Sequence, residues 1–270
     1  MPIHICRECG TFYADAPSPP DRCPICEDER QYVPRTGQAW TTPAAFAASH
    51  VNTWRLLEPD LFEIHTQPGF AIGQRALLVR TPAGNYLWDC IALIDDATVE
   101  LIKGLGGLKG IAISHPHYYT SCQDWAAAFD CPVHLHAADR DWVMRPDPAP
   151  RFWTGDRMTI GPGLTLLRLG GHFPGATVLH WATDERSAGV LLTGDTLQVV
   201  ANPSRVSSMY SYPNLLPLSA ATVRRIADTL QQWRIDRVYG FNVGRQVLED
   251  GGAAIERSAR RYIELLSEER

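Results

Sequence analysis

Two Cys-x-x-Cys pairs near the start of the chain constrain its folding more than any other feature. They lie in CRECGTFYADAPSPPDRCPICEDER and consist of Cys6, Cys9, Cys23 and Cys26. Each pair brings two sulfur atoms to one side of a tight turn, and two facing turns form a tetrahedral four-sulfur metal site. Residues 1–36 are too few to bury a core of their own, so a metal or disulfides must hold them. Outside a secreted protein, this spacing indicates a metal before disulfides.

This four-cysteine segment, called the ribbon below, resembles the rubredoxin-like ribbon at the end of rubrerythrins. The resemblance covers roughly the first 34 residues. It implies either iron for electron transfer or zinc as a structural staple, because tetrahedral sulfur geometry suits both metals. Glu27 stands where a rubredoxin-type turn often has glycine, which favours zinc. We therefore predict one zinc ion in the ribbon, with iron as the alternative.

The composition is that of an ordinary globular protein without a nucleic-acid or membrane partner. The chain has 270 residues, 45% of them apolar, and a net charge of −5. The mild acidity argues weakly against nucleic acid, because phosphate binding usually shows as a basic patch or stripe. The N-terminus shows no basic-plus-apolar leader, and no apolar run is long enough to span a bilayer. We expect a cytoplasmic protein that acts on a small molecule, and the sequence leaves a homodimer open.

The chain is predicted to comprise the ribbon at 1–36, a linker at 37–45 and one larger domain at 46–270. In the larger domain, short apolar runs bounded by turn residues alternate with helical patterns. Ser219 is the expected N-cap of the second helix. Such alternation predicts a layered α/β or α+β domain with sheets at its centre. The predicted strands are 76–80, 85–90, 110–113, 131–136, 164–169, 177–182, 190–195 and 236–240, and the predicted helices are 121–129, 219–233 and 251–267.

Four candidate metal ligands lie where predicted strands give way to loops. His115 and His117 follow an apolar run in IAISHPHYYTSCQDW, His172 lies in GGHFPGATVLHW, and Asp195 ends LLTGD. A rigid scaffold at such positions holds ligands while leaving a coordination position open. Three histidines and one carboxylate suit zinc, and a subset of them suits Fe(II).

The order of these residues resembles that of the metallo-β-lactamase fold superfamily. Asp89 at the end of an early strand, then His-x-His, Gly-Gly-His and Thr-Gly-Asp match its pattern over about residues 46–270. The resemblance implies an α+β fold, a four-layer αββα sandwich with the metal site at one edge of the paired sheets. It further implies that the three histidines hold the first metal, that Asp195 bridges or completes the site, and that Asp89 supports it from outside the ligand set.

The departures from that pattern predict a site with one metal. The family has His-x-His-x-Asp-His, but here Tyr119 and Thr120 occupy the last two positions. The family's later histidine is also missing, because none follows His180 and Asn242 lies about where it should appear. We predict one zinc at this site too, again with iron as the alternative.

Several neighbouring residues have weaker signals. A protonated Tyr119 could donate a hydrogen bond to a substrate oxygen, or could fill the space of the second metal, and Tyr118 shares this ambiguity. His136, at the end of the predicted strand 131–136, is a candidate for lining the pocket. Thr120 and Ser121 are expected to cap the helix that follows.

The leading functional hypothesis is a mononuclear metallohydrolase. A metal-activated water would attack an ester, thioester, lactone or lactam, with Asp195 orienting or deprotonating the water and Tyr119 stabilising the oxyanion. One alternative is a mononuclear iron oxidoreductase similar to persulfide dioxygenases, in which the ribbon would transfer electrons. The other is a catalytically inactive relative that binds a ligand, since a fold does not guarantee its usual activity.

Overall fold

Two compact units make up the chain, spanning residues 1–153 and 154–270. The computed structural model describes residues 2–146, 148, 150–182 and 189–267. Each unit is built on its own mixed β-sheet. No helix in these described ranges is long and apolar enough to cross a membrane.

The first unit contains a seven-stranded sheet in the order β3-β4-β5-β6-β7-β8-β9. Neighbouring strands from β3 to β6 are antiparallel, and those from β6 to β9 are parallel. Over the residues described, the strands are β1 (Ile5–Cys6), β2 (Trp40–Thr41), β3 (Val51–Glu58), β4 (Leu61–Gln67), β5 (Arg75–Thr81), β6 (Gly84–Trp88), β7 (Gly110–Ala112), β8 (Val133–His136) and β9 (Arg151–Trp153). The α-helices are α1 (Pro24–Glu27), α2 (Pro43–Ala47), α3 (Asp96–Gly104) and α4 (Cys122–Phe129), and short 3-10 helices span Pro116–Tyr118 and Ala137–Trp142.

The parallel strands of this sheet gather polar residues at one edge. Because β6, β7 and β8 run in the same direction, their carboxyl ends meet at the same side of the sheet. Asp89 directly follows β6, Ser114 and His115 come soon after β7, and His136 is the last residue of β8. The first unit therefore presents its candidate site residues along a single edge.

The ribbon lies within the first unit and packs against its other elements. Strand β1 pairs with β2, which falls inside the predicted linker. The four cysteines cluster with Tyr13 and Ile25, and Trp40, Trp142 and Met144 pack against them. In a separate cluster, Ile5 and Phe12 pack with Phe46, Ala92 and Leu93. The boundaries at 36 and 45 remain a prediction.

The second unit contains a six-stranded sheet in the order β10-β11-β12-β13-β18-β19. Its neighbouring strands are antiparallel except β13 and β18, which are parallel. The described strands are β10 (Arg157–Gly161), β11 (Leu164–Arg168), β12 (Thr177–Trp181), β13 (Gly189–Leu192), β14 (Gln198–Val199), β15 (Val206–Ser207), β16 (Met209–Ser211), β17 (Leu216–Pro217), β18 (Ile235–Tyr239) and β19 (Gln246–Val247). Helices α5 (Ala220–Gln231) and α6 (Gly251–Ser267) cover an apolar cluster that includes Val178, Leu191, Ile226 and Val238.

The predicted elements of the larger domain are present, with ends shifted by a few residues. The N-cap prediction at the start of α5 is confirmed, because Ser219 Oγ accepts a hydrogen bond from Thr222 N at 3.2 Å. The hairpin β3–β4 and helix α3 were not predicted. Strand β3 carries polar and half-exposed residues on both faces, so it lacks the apolar run that marked the buried strands.

Candidate functional site

The four ribbon cysteines form a compact, buried sulfur cluster. Their Sγ atoms all lie within 4.8 Å of one another, and each side chain is at most 1% exposed. Tyr13 Oη donates to Cys23 Sγ at 3.0 Å, and Gln38 Nε2 donates to Cys6 Sγ at 3.0 Å. Hydrogen bonding, chiefly from Cys26, lowers the pKa of the Cys23 thiol. Four converging sulfur atoms with donors aimed at them fit a tetrahedral metal ion, as the sequence predicted.

His115 and His117 lie in a tight turn that neighbouring polar groups hold in place. Asp89 Oδ1 accepts a hydrogen bond of 2.7 Å from the Ser114 amide, directly before the turn. The Ser114 hydroxyl and His115 Nδ1 share a hydrogen bond of 2.8 Å. The two histidines offer ligand atoms within 4.8 Å of each other. Asp89 thus supports the turn through Ser114, which fits the supporting role implied for it.

The two tyrosines after His117 have different surroundings. The Tyr118 ring packs edge-on against His115, with 5.3 Å between ring centroids. Tyr119 is buried, and burial, together with the nearby charge of Asp139, raises the pKa of its phenol well above the usual value. Tyr119 therefore stays protonated at neutral pH and can act as a hydrogen-bond donor.

The expectation that Thr120 and Ser121 cap the helix is confirmed for the position of Ser121 but not for a side-chain capping bond. Ser121 occupies the N-cap position of α4, but its side chain makes no capping hydrogen bond. Ser121 Oγ instead donates to Ile91 O at 3.0 Å, and Thr120 Oγ1 donates to Tyr118 O at 3.4 Å. Both hydroxyls are buried and are used by nearby carbonyl groups, so they are not available to the helix.

His136 has contacts that account for its conformation. Its Nδ1 accepts a hydrogen bond from the Ala138 amide at 3.2 Å, at the start of the 3-10 helix. Its ring stands edge-on to Trp153, with 4.5 Å between centroids. The predicted pocket role of His136 remains a prediction.

In the second unit, a pair of glycines shapes the turn that carries His172. Gly170 and Gly171 adopt φ angles of +63° and +91°, in the left-handed region that favours glycine. A Cβ on Gly171 would lie 3.1 Å from Leu218 Cδ1 and 3.2 Å from Ile226 Cδ1, so the turn packs tightly on the core. His172 Nδ1 donates to Tyr210 O at 2.8 Å. In the neutral ring this leaves Nε2 as the nitrogen with a lone pair for a metal.

Asp195 lies three residues beyond β13 and is held through its main chain and its side chain. Tyr212 Oη donates to Asp195 O at 2.7 Å. Gln198 Nε2 approaches Asp195 Oδ1 at 3.4 Å, and Asn242 Nδ2 approaches Gln198 Oε1 at 3.4 Å. Asn242 therefore reaches the carboxylate through Gln198. Asp195 and His172 offer ligand atoms within 4.8 Å of each other.

Sequence reasoning missed several residues that support these ligands. Ser114 and Gln198 carried no motif, and their roles depend on contacts made only after folding. Tyr212 belongs to the same group, because its hydrogen bond to Asp195 O joins positions 17 residues apart. The buried carboxylate of Asp139 could have been suspected from its place soon after β8, but nothing in the sequence paired it with Tyr119.

Comparison with known proteins relates the whole chain to one bacterial protein and its fold to a group of enzymes. The chain is 44% identical to the uncharacterized protein YmaE of Bacillus subtilis strain 168, over 100% of its own length and 98% of YmaE. No family model matches the chain. Among solved structures, the DIM-1 metallo-β-lactamase is similar with a TM-score of 0.60 at 14% identity, over 80% of this chain and 98% of DIM-1.

A second solved structure gives the same result. The metallo-β-lactamase FIM-1 from Pseudomonas aeruginosa, in its mono-zinc form, is similar with a TM-score of 0.55 at 12% identity. The match covers 78% of this chain and 96% of FIM-1. At such low identities, the similarity reports the fold and not the reaction.

Proposed function

The chain belongs to the family of YmaE and has the metallo-β-lactamase fold, and from this we propose that it is a hydrolase with one catalytic metal ion. In this proposal, His115 and His117 of the first unit and His172 and Asp195 of the second unit bind the same ion. The observation that carries it is the arrangement of each pair. In both pairs the ligand atoms lie within 4.8 Å of each other, and the hydrogen bond from His172 Nδ1 directs its other nitrogen to a metal.

The donor set fits a divalent metal, and we propose zinc, with a second zinc in the ribbon. Three imidazoles and one carboxylate are ligands that zinc commonly takes in catalytic sites. When bound, such an ion lowers the pKa of a coordinated water from 15.7 toward about 7 and polarises a substrate oxygen. The mono-zinc form of FIM-1 supports the idea that this fold can hold a single zinc. Iron is the alternative at either site.

The side chains of the turn supply the remaining chemistry in this proposal. Asp195 orients the attacking water and accepts its proton, while the protonated phenol of Tyr119 donates a hydrogen bond to the developing oxyanion. Tyr118 and Asp89 hold His115 in position, and His136 lines the pocket. The substrate is a small molecule with an acyl centre, of the ester, thioester, lactone or lactam class.

A one-metal site is favoured by what stands at the family's second-metal positions. The Thr120 hydroxyl donates a hydrogen bond to Tyr118 O, and the Thr120 carbonyl oxygen accepts one from Phe12 N at 3.3 Å. Asn242 contacts Gln198, and the phenol of Tyr119 is a poor ligand while it is protonated. These three residues are engaged in other contacts or chemically unsuited to a second ion.

The first test is metal content measured by elemental analysis on the full chain. We expect two zinc ions in the wild type, and one fewer in both His115→Ala and Cys23→Ala. His50→Ala and Cys131→Ala are the matched controls, because neither residue belongs to a predicted metal site, and both should retain two ions. If His115→Ala keeps the full metal content, the assignment of the catalytic site is wrong. Metal in the ribbon alone would instead support the inactive, ligand-binding alternative.

The role of Tyr119 is tested by Tyr119→Phe, which removes only the hydroxyl. Loss of a single oxyanion donor lowers kcat by about 10²–10³-fold in other hydrolases, and we expect a loss of this order. Steady-state kinetics on a panel of esters, thioesters, lactones and lactams would measure it. Metal content should remain that of the wild type. An unchanged kcat on the substrate that the wild type hydrolyses best would remove Tyr119 from the mechanism.

One observation favours the iron oxidoreductase as a second candidate. Gln74 Nε2 donates both to Cys9 O at 2.7 Å and to His117 O at 3.0 Å, which gives a short hydrogen-bonded path from the ribbon to the histidine turn. In this alternative, His115, His172 and Asp195 would bind iron, and the ribbon would transfer electrons to it. Iron in both sites, with visible absorbance from the thiolates that bleaches on reduction, would favour it over the hydrolase.

A further inference from the structure

The ribbon and the histidine turn contact each other through one buried side chain. Gln74, just before β5, is 5% exposed, and its amide nitrogen donates to the carbonyl oxygens of Cys9 and His117. Cys9 is a ribbon ligand and His117 is a candidate ligand of the catalytic metal. A buried amide needs partners for both of its N–H groups, so the position of each carbonyl depends on the other.

Two further contacts bring the ribbon backbone close to the same turn. Gly10, next to Cys9, has φ +76°, and a Cβ added to it would lie 3.4 Å from Gln74 Nε2. The Phe12 amide donates to Thr120 O at 3.3 Å, at the far end of the turn. The turn from 115 to 120 is thus held to the ribbon at two carbonyl groups. Gln74 itself is 65 positions from Cys9 and 43 positions from His117 in the sequence.

We propose that Gln74 is a positioning residue through which metal in the ribbon orders the histidine turn and so raises the affinity of the catalytic site. This inference rests on the proposed function. A metal ion on Cys6 and Cys9 fixes the loop that presents Cys9 O, and this carbonyl fixes the amide of Gln74. The second N–H of that amide then holds His117 O, which sets the main chain of a ligand residue. Without the ribbon metal, the position of Cys9 O is no longer fixed.

The first experiment measures Zn²⁺ affinity at the histidine site by competition with a chromophoric chelator, in full-length protein whose ribbon is already loaded. Gln74→Leu should weaken binding by about 10–100-fold, the usual effect of removing a partner that orients a metal ligand. Gln123→Leu is the matched control. Gln123 is also buried in the first unit, but its side chain donates to Arg145 O and accepts from Cys122 Sγ, both outside the ribbon and the turn. Equal affinities in the two variants would overturn the proposal.

The second experiment tests whether the coupling passes through Gln74. Emptying the ribbon by Cys23→Ser should weaken Zn²⁺ binding at the histidine site by about 5–150-fold, the range typical of coupled sites. In the Gln74→Leu background the same change should cause no further loss. If the two losses simply multiply, the sites are coupled by another route and Gln74 has no such role.

Amide hydrogen exchange keeps the inference testable apart from the proposed function. Tyr118 N donates to His115 O at 3.0 Å and Tyr119 N donates to Pro116 O at 3.1 Å, so these amides report on the order of the turn. Emptying the ribbon by Cys23→Ser should speed their exchange in an otherwise wild-type chain but not in Gln74→Glu, which keeps the side-chain length and loses the donors. No change in the wild type would contradict the inference. A wild type that binds no metal at His115 would contradict the proposed function, whatever the exchange shows.

Discussion

At the residue scale, aromatic side chains and main-chain carbonyls orient the candidate ligands of the second unit. The segment that contains Tyr210 and Tyr212 contacts both His172 and Asp195, through one carbonyl and one phenol. Burial and the charge of Asp195 raise the pKa of Tyr212 well above its usual value, so this phenol remains a donor at neutral pH. The two candidate ligands of the second unit are therefore oriented by residues outside the candidate ligand set.

Tyr212→Phe is expected to weaken metal binding and to lower stability modestly. The variant loses the bond to Asp195 O, and an unmet buried carbonyl costs about 1–3 kcal/mol. Zn²⁺ affinity at the histidine site should fall by about tenfold or more. Tyr262→Phe is the control, because the hydroxyl of Tyr262 accepts a hydrogen bond from Leu218 N at 2.9 Å instead of contacting Asp195. Chemical denaturation and chelator competition on both variants would check this, and equal metal affinities would show that Tyr212 does not position Asp195.

Gly171→Ala is expected to destabilise the protein and to disturb His172. A non-glycine residue at φ +91° with little space for its Cβ should cost about 1–3 kcal/mol. Gly244→Ala shares a positive φ of +78° but meets nothing within 4 Å, so it should cost less. The free energies of unfolding of the two variants would decide this. A larger loss at Gly244 would mean that packing against Leu218 and Ile226 is unimportant.

At the scale of the elements, strand β12 carries a buried histidine whose role is structural. His180 Nε2 donates to Arg234 O at 3.0 Å, and its ring packs near Trp233 with 4.8 Å between centroids. Burial lowers the pKa of His180 below its ordinary value of 6.5, although the bond to Arg234 O opposes the shift. The histidine therefore ties β12 to the segment before β18 in its neutral form.

This lowered pKa predicts a loss of stability on acidification. The unfolded chain takes up a proton near pH 6.5, whereas folded His180 does so only at lower pH. The contribution of His180 to the free energy of unfolding is therefore complete above about pH 6.5. It declines as the pH falls and levels off below the pKa of His180 in the folded protein. Thermal unfolding between about pH 7.5 and 5.5 should show a steeper fall for the wild type than for His180→Gln. Parallel curves for the two proteins would exclude His180 as a source of the pH dependence.

At the scale of the whole molecule, the ribbon is integrated into the first unit. Its cysteine cluster packs against Trp142 and Met144, which follow β8. Ile5 and Phe12 share an apolar cluster with Phe46 beyond the predicted linker. Loss of order in the ribbon should therefore affect more of the first unit than its own residues.

Removal of the ribbon metal is expected to lower the unfolding temperature of the full chain. Metal binding to thiolates contributes directly to folding free energy, and acid releases the metal because the thiolates must be deprotonated. A chelator, or Cys23→Ala, should lower the melting temperature, whereas Cys131→Ala should change it little. Differential scanning calorimetry would measure both. An unchanged melting temperature after complete loss of the ribbon metal would show that the cysteine cluster does not stabilise the fold.

Local patterns predicted the strands and helices around the candidate ligands, but not the residues that support these ligands. His-x-His after an apolar run and two Cys-x-x-Cys pairs are visible because their members are close in sequence. Gln74 contacts residues 43 and 65 positions away, and His172 contacts Tyr210 38 positions away. The side chain of Ser121 makes no capping bond for a related reason, since its hydroxyl donates to a carbonyl 30 positions away. Such partners are chosen only when distant segments pack together.

The sequence by itself determined the sulfur cluster, the order of the ligand-bearing strand ends and the metallo-β-lactamase fold that this order indicates. Ligand chemistry and hydrophobic alternation are properties of short segments, and they persist whatever surrounds them. Only the tertiary structure decided how the candidate ligands are held: the histidine turn by Asp89 through Ser114 and by Gln74 next to the ribbon, and His172 by Tyr210. Buried polar groups must find partners, and which partners they find depends on the packing of the folded chain.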